Sequence, residues 1–212
     1  MQYSTFAAID IGSYDVILEI FEISKKQGIR SVDKICHRME LGKDTYTLGK
    51  IRPEMEEELC RVLADFVRIM EGYRVDDYRA TASSAISEAS NSLYVLGKIH
   101  QLTGLSVTVL SNSEQRFLSY KALAAMEDNF NKIIEKGTAI LDLDGGSFQI
   151  SLFDKDALVT TQNIRMGSLR IRERLAGIQS ETEHYEEMVE ELIWNEVSSF
   201  KKMYLKDRKI EN

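Results

Sequence analysis

One pattern occurs twice in this sequence, and it limits the possible folds more than any other feature. Ile9-Asp10-Ile11-Gly12-Ser13 and Leu141-Asp142-Leu143-Asp144-Gly145-Gly146-Ser147 each read as an apolar strand that ends in Asp and turns on small residues into a second strand. The echo predicts a duplicated α/β domain. In the first half, β-branched and apolar residues dominate 5–10, 16–23 and 29–39, separated by Gly12-Ser13 and by a polar turn at 25–28. An amphipathic helix follows over 53–70, with Met55, Leu59, Val62, Leu63, Phe66, Val67 and Met70 on one face and Pro53 at its first position. A strand at 78–82, a helix at 90–103 and a strand at 106–110 complete the order βββαβαβ. After a helix at 113–131 the pattern restarts with strands at 138–142, 147–153 and 157–164. A last helix then spans 181–204, with Tyr185, Met188, Val189, Leu192, Ile193 and Val197 as its stripe. Two related lobes are therefore expected, 1–122 and 123–212. The second is expected to be incomplete, lacking a strand, a helix and a strand relative to the first.

Composition narrows the function classes. The 27 Lys+Arg against 34 Asp+Glu leave a net charge of −7, which disfavours general adhesion to DNA or to acidic membrane surfaces. Any polyanion must then be held by a local site. No apolar run approaches the roughly 18 residues a membrane span needs, and Met1 leads directly into an apolar strand, so a cytoplasmic protein is expected. Cys36 and Cys60 fall in a strand and on an apolar helix face and read as reduced core residues. His37, His100 and His184 are scattered without helical ligand spacing, and Ser147 lacks the Gly-x-Ser-x-Gly frame of a serine hydrolase. The Lys201-Lys202 to Lys209 cluster reads as a solvated helix end, and Trp194 as a packing residue.

Asp at a strand end, followed by Gly and Ser, sets a carboxylate beside backbone N–H groups and a hydroxyl. One such turn is ordinary β-turn chemistry. Two at the heads of two equivalent meanders suggest loops that grip a chain of phosphates from both sides of a cleft, with Asp10 and Asp142 facing it.

These turns resemble the phosphate loops of the acetate kinase, sugar kinase, Hsp70 and actin superfamily, and more closely those of the Ppx/GppA (exopolyphosphatase and guanosine pentaphosphate phosphatase) family. That family's Ala-Ile-Asp-Ile-Gly-Ser-Asn is similar to Ala8-Ile9-Asp10-Ile11-Gly12-Ser13-Tyr14. Its Arg-Ala-Val-Ala-Thr-Ser-Ala-Leu-Arg-Glu-Ala-Arg-Asn is similar to the thirteen residues from Arg79 to Asn91. Thr103-Gly104-Leu105, Val109-Leu110-Ser111, the Asp142 loop and Met166-Gly167-Ser168-Leu169-Arg170 keep the family's order and spacing. The resemblance spans nearly the whole chain. It implies a ribonuclease-H-like, actin/Hsp70-type fold and a parent chemistry of Mg²⁺-assisted water attack on polyphosphate or guanosine pentaphosphate. Asp10, Gly12, Ser13, Ser83, Gly145, Gly146 and Ser147 are the implied phosphate-binding residues. Asp142 is the implied metal ligand; Asp144, which the family does not carry, is read either as an extra metal ligand or, without a metal, as a carboxylate that repels phosphate.

Five positions depart from the pattern. Tyr14 stands where the family has Asn, and Ser87 where it has a phosphate-contacting Arg. Asp144 replaces the first Gly of Asp-Ile-Gly-Gly-Gly-Ser-Thr-Glu, and Gln149 its Glu. Gln115 occupies the position of the family's general base, and an amide cannot accept a proton at neutral pH. Glu114, the nearest substitute base, lies one residue away and so points about 100° off on a helix. Two functions are therefore expected to compete: a weakened phosphoanhydride hydrolase, and a non-catalytic phosphate-, nucleotide- or protein-binding module. A homodimer is expected through the open edge of the second sheet.

Overall fold

The computed structural model describes residues 3–127, 129–176, 184–206 and 209–212. The chain divides into two compact units, Met1–Ser111 and Asn112–Asn212. In the first, β1 (Ser4–Ile11), β2 (Asp15–Ser24) and β3 (Gly28–Arg38) form the antiparallel meander read from the sequence. After α1 (Leu41–Leu48) and α2 (Pro53–Gly72), β4 (Asp77–Ala82) runs parallel to β1. Then come α3 (Ser84–Ser87), α4 (Ser92–Thr103) and β5 (Val107–Val109), and the sheet order is β3-β2-β1-β4-β5.

Alternation fixes the sheet's two faces. Ala7, Ile9 and Ile11 are buried while Asp10 between them is exposed. α2 starts at Pro53 with Glu54 and Glu56 in its first turn, where carboxylates suit the positive end of the helix. It buries Leu59, Leu63, Phe66 and Met70. Glu56 itself is buried, and it accepts from Asn91 Nδ2 (2.8 Å) and Lys98 Nζ (3.4 Å), which joins α2 to α4.

The second unit opens with α5 (Asn112–Met126) and α6 (Phe130–Ile134), two helices where periodicity predicts one over 113–131. The antiparallel sheet β6-β7-β8 follows, from Thr138–Leu143, Phe148–Asp154 and Ala157–Ile164, then α7 (Ser168–Leu175) and α8 (Tyr185–Tyr204). α5 belongs here because Gln115, Arg116, Ser119 and Tyr120 share one helix face. They hydrogen-bond Asp144, Thr161, Asp142 and Ser151. The division therefore falls at Ser111 rather than at the expected 122. Residues 181–183, the expected start of the last helix, lie outside the described residues.

The opposite face of this sheet packs Phe148, Ile150 and Leu152 against α7 and α8, with Phe200 as the most deeply buried residue of α8. Ile193, expected in the α8 stripe, is partly exposed, and Trp194 is 63% exposed rather than packed. Cys36 is exposed on the edge strand β3 instead of lying in the core, whereas Cys60 is buried.

Residues 210–212 reproduce the start of β4. Glu211 N donates to Gly137 O (2.6 Å) and Ala139 N to Asn212 O (3.0 Å), as Asp76 N donates to Thr5 O (2.9 Å) in the first unit. Beyond Ala139 the counterpart of β4 is missing among the described residues. Leu141 and Leu143 are 69% and 66% exposed, whereas their counterparts Ile9 and Ile11 are 1% and 0%. No helix among the described residues is long and apolar enough to cross a membrane.

Candidate functional site

The first loop leaves β1 after Ile11; Asp10, the residue before it, is exposed and sits beside Ile17 of β2 and Thr81 of β4. Gly12 N donates to Asp15 O (3.0 Å), and a Cβ on Gly12 would lie 2.9 Å from that same oxygen, so the tight turn needs glycine. Ser13 is buried. Its Oγ lies 2.6 Å from Tyr46 Oη and 3.3 Å from Ser84 Oγ, and Tyr46 Oη lies 2.8 Å from Ser84 Oγ, so three hydroxyls from α1, α3 and the loop close on one another. Tyr14 is half-buried, its ring 4.3 Å from the Arg38 guanidinium, and its carbonyl accepts from Met39 N (3.2 Å) and Glu40 N (3.0 Å). Ser83 N donates to Ile11 O (3.2 Å), which ties β1 to the turn into α3. Ser87 is exposed at the end of α3.

α1 holds this loop from behind. Its Asp44 is buried and accepts from Arg52 N (2.9 Å) and Arg52 Nε (2.9 Å), while Thr45 Oγ1 donates to Ala85 O (2.6 Å). The hydrogen bond and charge of Asp44 raise the pKa of Arg52.

The second loop is built differently. Asp142, at the end of β6, accepts from Ser119 Oγ (3.0 Å) and lies directly across from Gln149 on β7. Gln149 is buried and neutral. The Asp144 carboxylate turns onto its own loop, where Oδ1 accepts from Gly146 N (2.6 Å) and Ser147 N (2.8 Å) and Oδ2 accepts from Gln115 Nε2 (3.4 Å). The loop's outer side is pinned by α7, since Leu169 N and Arg170 N donate to Gly145 O (3.1 Å each) and Arg170 Nε to Gly146 O (2.9 Å). Asn163 Nδ2 donates to Ser147 Oγ (3.1 Å). A Cβ on Gly167 would lie 2.5 Å from Gly145 C and from Gly146 N, which explains the glycine there.

Within the second unit, Gln115, Asp142, Asp144, Gly145, Gly146, Ser147 and Gln149 thus come together, while Glu114 is exposed. Tyr46, Ser84, Ser119 and Asn163 join these sites without a sequence signature of their own. Polar side chains on helices and strands carry no local signal of their long-range partners.

The donor set for a divalent cation is thin. Mg²⁺ is held by oxygen ligands, commonly one or two carboxylates with water and substrate phosphates. Asp142 offers one carboxylate, but that of Asp144 is committed to two amides and Gln115. Among the described residues no three His, Cys, Asp or Glu side chains gather as a metal group. Among the described residues, those of the second loop do not build a Mg²⁺ cage of their own.

The chain is 25% identical over 144 residues to exopolyphosphatase 1 of Mycobacterium leprae, covering 68% of this chain and 41% of that protein. It is 22% identical over 174 residues to the bifunctional 3-dehydroquinate synthase/phosphatase of Fusobacterium nucleatum, covering 79% of this chain and 26% of that one. The crystal structure of the Aquifex aeolicus Ppx/GppA family member superposes with a TM-score of 0.70 at 23% identity, over 94% of this chain and 63% of that chain, which supports the ribonuclease-H-like, actin/Hsp70-type α/β fold. The chain spans less than half the length of these two curated relatives. Residues 19–210 match the model of the Ppx/GppA phosphatase family, and the chain belongs to that family.

Proposed function

We propose that this chain is a phosphoanhydride-binding domain with hydrolytic chemistry of the Ppx/GppA type, weakened by replacements in its second unit. The observation that carries this reading is Gln115. It occupies the position that resembles the family's base and directs a neutral amide at Asp144 Oδ2. An amide can orient water but cannot take its proton, and a general base is worth about 10²–10⁴-fold in rate. Gln149 opposite Asp142 and the exposed Ser87 remove a carboxylate and a guanidinium that the resemblance also expects.

Polyphosphate is the first substrate to examine, since one relative is an exopolyphosphatase, and guanosine pentaphosphate is the second. Mg²⁺ would enter with the phosphate chain, Asp142 being the loop carboxylate best able to join its coordination. The test is phosphate release from both compounds with Mg²⁺, at rates about 10²-fold or more below ordinary enzymatic turnover of roughly 1–10³ s⁻¹. Turnover within that ordinary range would refute the weakened-site reading.

The second reading, a non-catalytic binding module, is favoured by Gln115 and Gln149, two neutral amides where the resemblance expects carboxylates, beside a glycine loop that keeps its backbone N–H groups. Retained binding of tripolyphosphate with no measurable phosphate release would decide for it.

A further inference from the structure

An oxyanion docks on a glycine loop by accepting hydrogen bonds from successive backbone N–H groups that point into one concavity. In the second unit the two successive N–H groups at the centre of the loop, Gly146 N and Ser147 N, converge on one oxygen, Oδ1 of Asp144, at 2.6 and 2.8 Å. These are charge-assisted distances, and a carboxylate oxygen presents to those donors the same anionic acceptor that a phosphate oxygen would. The other oxygen, Oδ2, accepts from the amide of Gln115 on α5. Ser147 O accepts from Asp144 N (3.0 Å), so Asp144 is bound to this loop through both backbone and side chain.

We propose that Asp144 is a built-in occupant of the loop's anion seat, with Gln115 as the positioning residue that holds it there, so that the second loop is closed to phosphate while this carboxylate stays in place. The proposal rests on the reading of this loop as a phosphate loop. It joins two replacements that look independent in the sequence. A Glu at position 115 would set a second carboxylate about 3.4 Å from Oδ2 of Asp144, where like charges repel. The amide present there donates to it instead. The neutral side chain of Gln115 and the acid of Asp144 are thus a matched pair, and reversing one alone works against the other.

The test uses the full chain and its variants Asp144→Gly, Asp144→Asn, Gln115→Glu and the double variant Asp144→Gly/Gln115→Glu. Two readouts are needed: backbone amide hydrogen exchange at Gly146 and Ser147 without ligand, and titration with tripolyphosphate followed by amide shifts at those residues and by calorimetry. In the unaltered chain the two amides are expected to exchange slowly and to stay unmoved by tripolyphosphate. Asp144→Gly should speed their exchange and tighten tripolyphosphate binding about tenfold or more, with both amides shifting, because two donors become available to the ligand. Asp144→Asn keeps an acceptor oxygen over the amides and should preserve slow exchange without the gain, which also guards against a glycine variant whose loop merely disorders. Gln115→Glu should speed exchange when Asp144 is present and have little such effect when combined with Asp144→Gly, a non-additivity that a purely structural glutamine would not produce.

Unchanged exchange in Asp144→Gly would overturn the occupancy, as would tripolyphosphate shifting Gly146 and Ser147 in the unaltered chain. An Asn variant that gains as much as the Gly variant would overturn it too, by making charge rather than occupancy the barrier. Faster exchange in Asp144→Gly without any gain in binding would instead refute the phosphate reading of the loop, and with it the exclusion of phosphate by Asp144.

Discussion

At the residue scale, the strictest positions in this protein are those where backbone or a carboxylate leaves no room for another choice. Gly167 shows this well. Its backbone is extended, φ −74° and ψ 166°, and would suit any residue, yet a Cβ would press on Gly145 and Gly146 at 2.5 Å. Gly167→Ala is therefore expected to cost about 1–3 kcal/mol through overpacking. It should also speed amide exchange across Gly145–Ser147, and unchanged thermal stability would show that the loop yields easily. Sequence made Gly12, Ser13, Gly145 and Gly146 visible because turn chemistry is local. It could not show that the Ser13 hydroxyl is used up by Tyr46 and Ser84, 33 and 71 residues away in sequence. Nor could it show that Asp144, read as a metal ligand, spends its carboxylate on its own loop.

At the scale of elements, α2 packs the core of the first unit with Leu59, Leu63, Phe66 and Met70. Leu63 is fully buried in the core of the first unit, and Leu63→Ala should cost about 2–5 kcal/mol. Hydrogen exchange should localise the loss to β1, β2 and β4, with the β6-β7-β8 sheet unaffected, since the two cores are separate clusters. Uniform loss across both sheets would mean the units unfold together. The tie between α2 and α4 has its own signature in pH. Burial works to lower the Lys98 pKa, but the Glu56 hydrogen bond and charge outweigh it and leave that pKa raised. A raised folded pKa means the contribution is complete below the unfolded Lys value near 10.4 and is lost as pH rises through the folded one. Urea midpoints measured from about pH 8 to 11 should fall more steeply for the native protein than for Lys98→Met, and identical profiles would remove the tie from the stability of the fold. β6 exposes Leu141 and Leu143, and among the described residues no strand pairs with its outer edge beyond Ala139. Sedimentation should show concentration-dependent self-association that the double change Leu141→Ser/Leu143→Ser weakens. A monomer at all concentrations would rule out that edge as a contact.

At the scale of the whole molecule, a net charge of −7 sets how polyanions arrive. Long-range repulsion slows encounter and is screened by salt, with a Debye length of about 10 Å at 0.1 M. The association rate of polyphosphate, measured by stopped flow, is expected to rise as salt increases from low ionic strength. A steep fall would show that a local basic cluster outweighs the net negative charge. Each unit contains a three-stranded meander followed by helices, preceded in the second unit by α5 and α6, and among the described residues the first sheet has five strands and the second three.

The sequence by itself determined the meanders, the start of α2 at Pro53 and, to within one residue, the strand ends at Asp10 and Asp142. Each of these follows from periodicity and turn residues within a few positions of one another. Tertiary structure alone decided the short helices α1, α3 and α7, whose polar sequences show no long apolar stripe and which are held by contacts such as Asp44 with Arg52 and Arg170 with Gly146. It also decided the chemical state of the loops. Whether a carboxylate or hydroxyl faces solvent, a ligand or its own backbone depends on donors brought in from distant segments, and no local pattern encodes that choice.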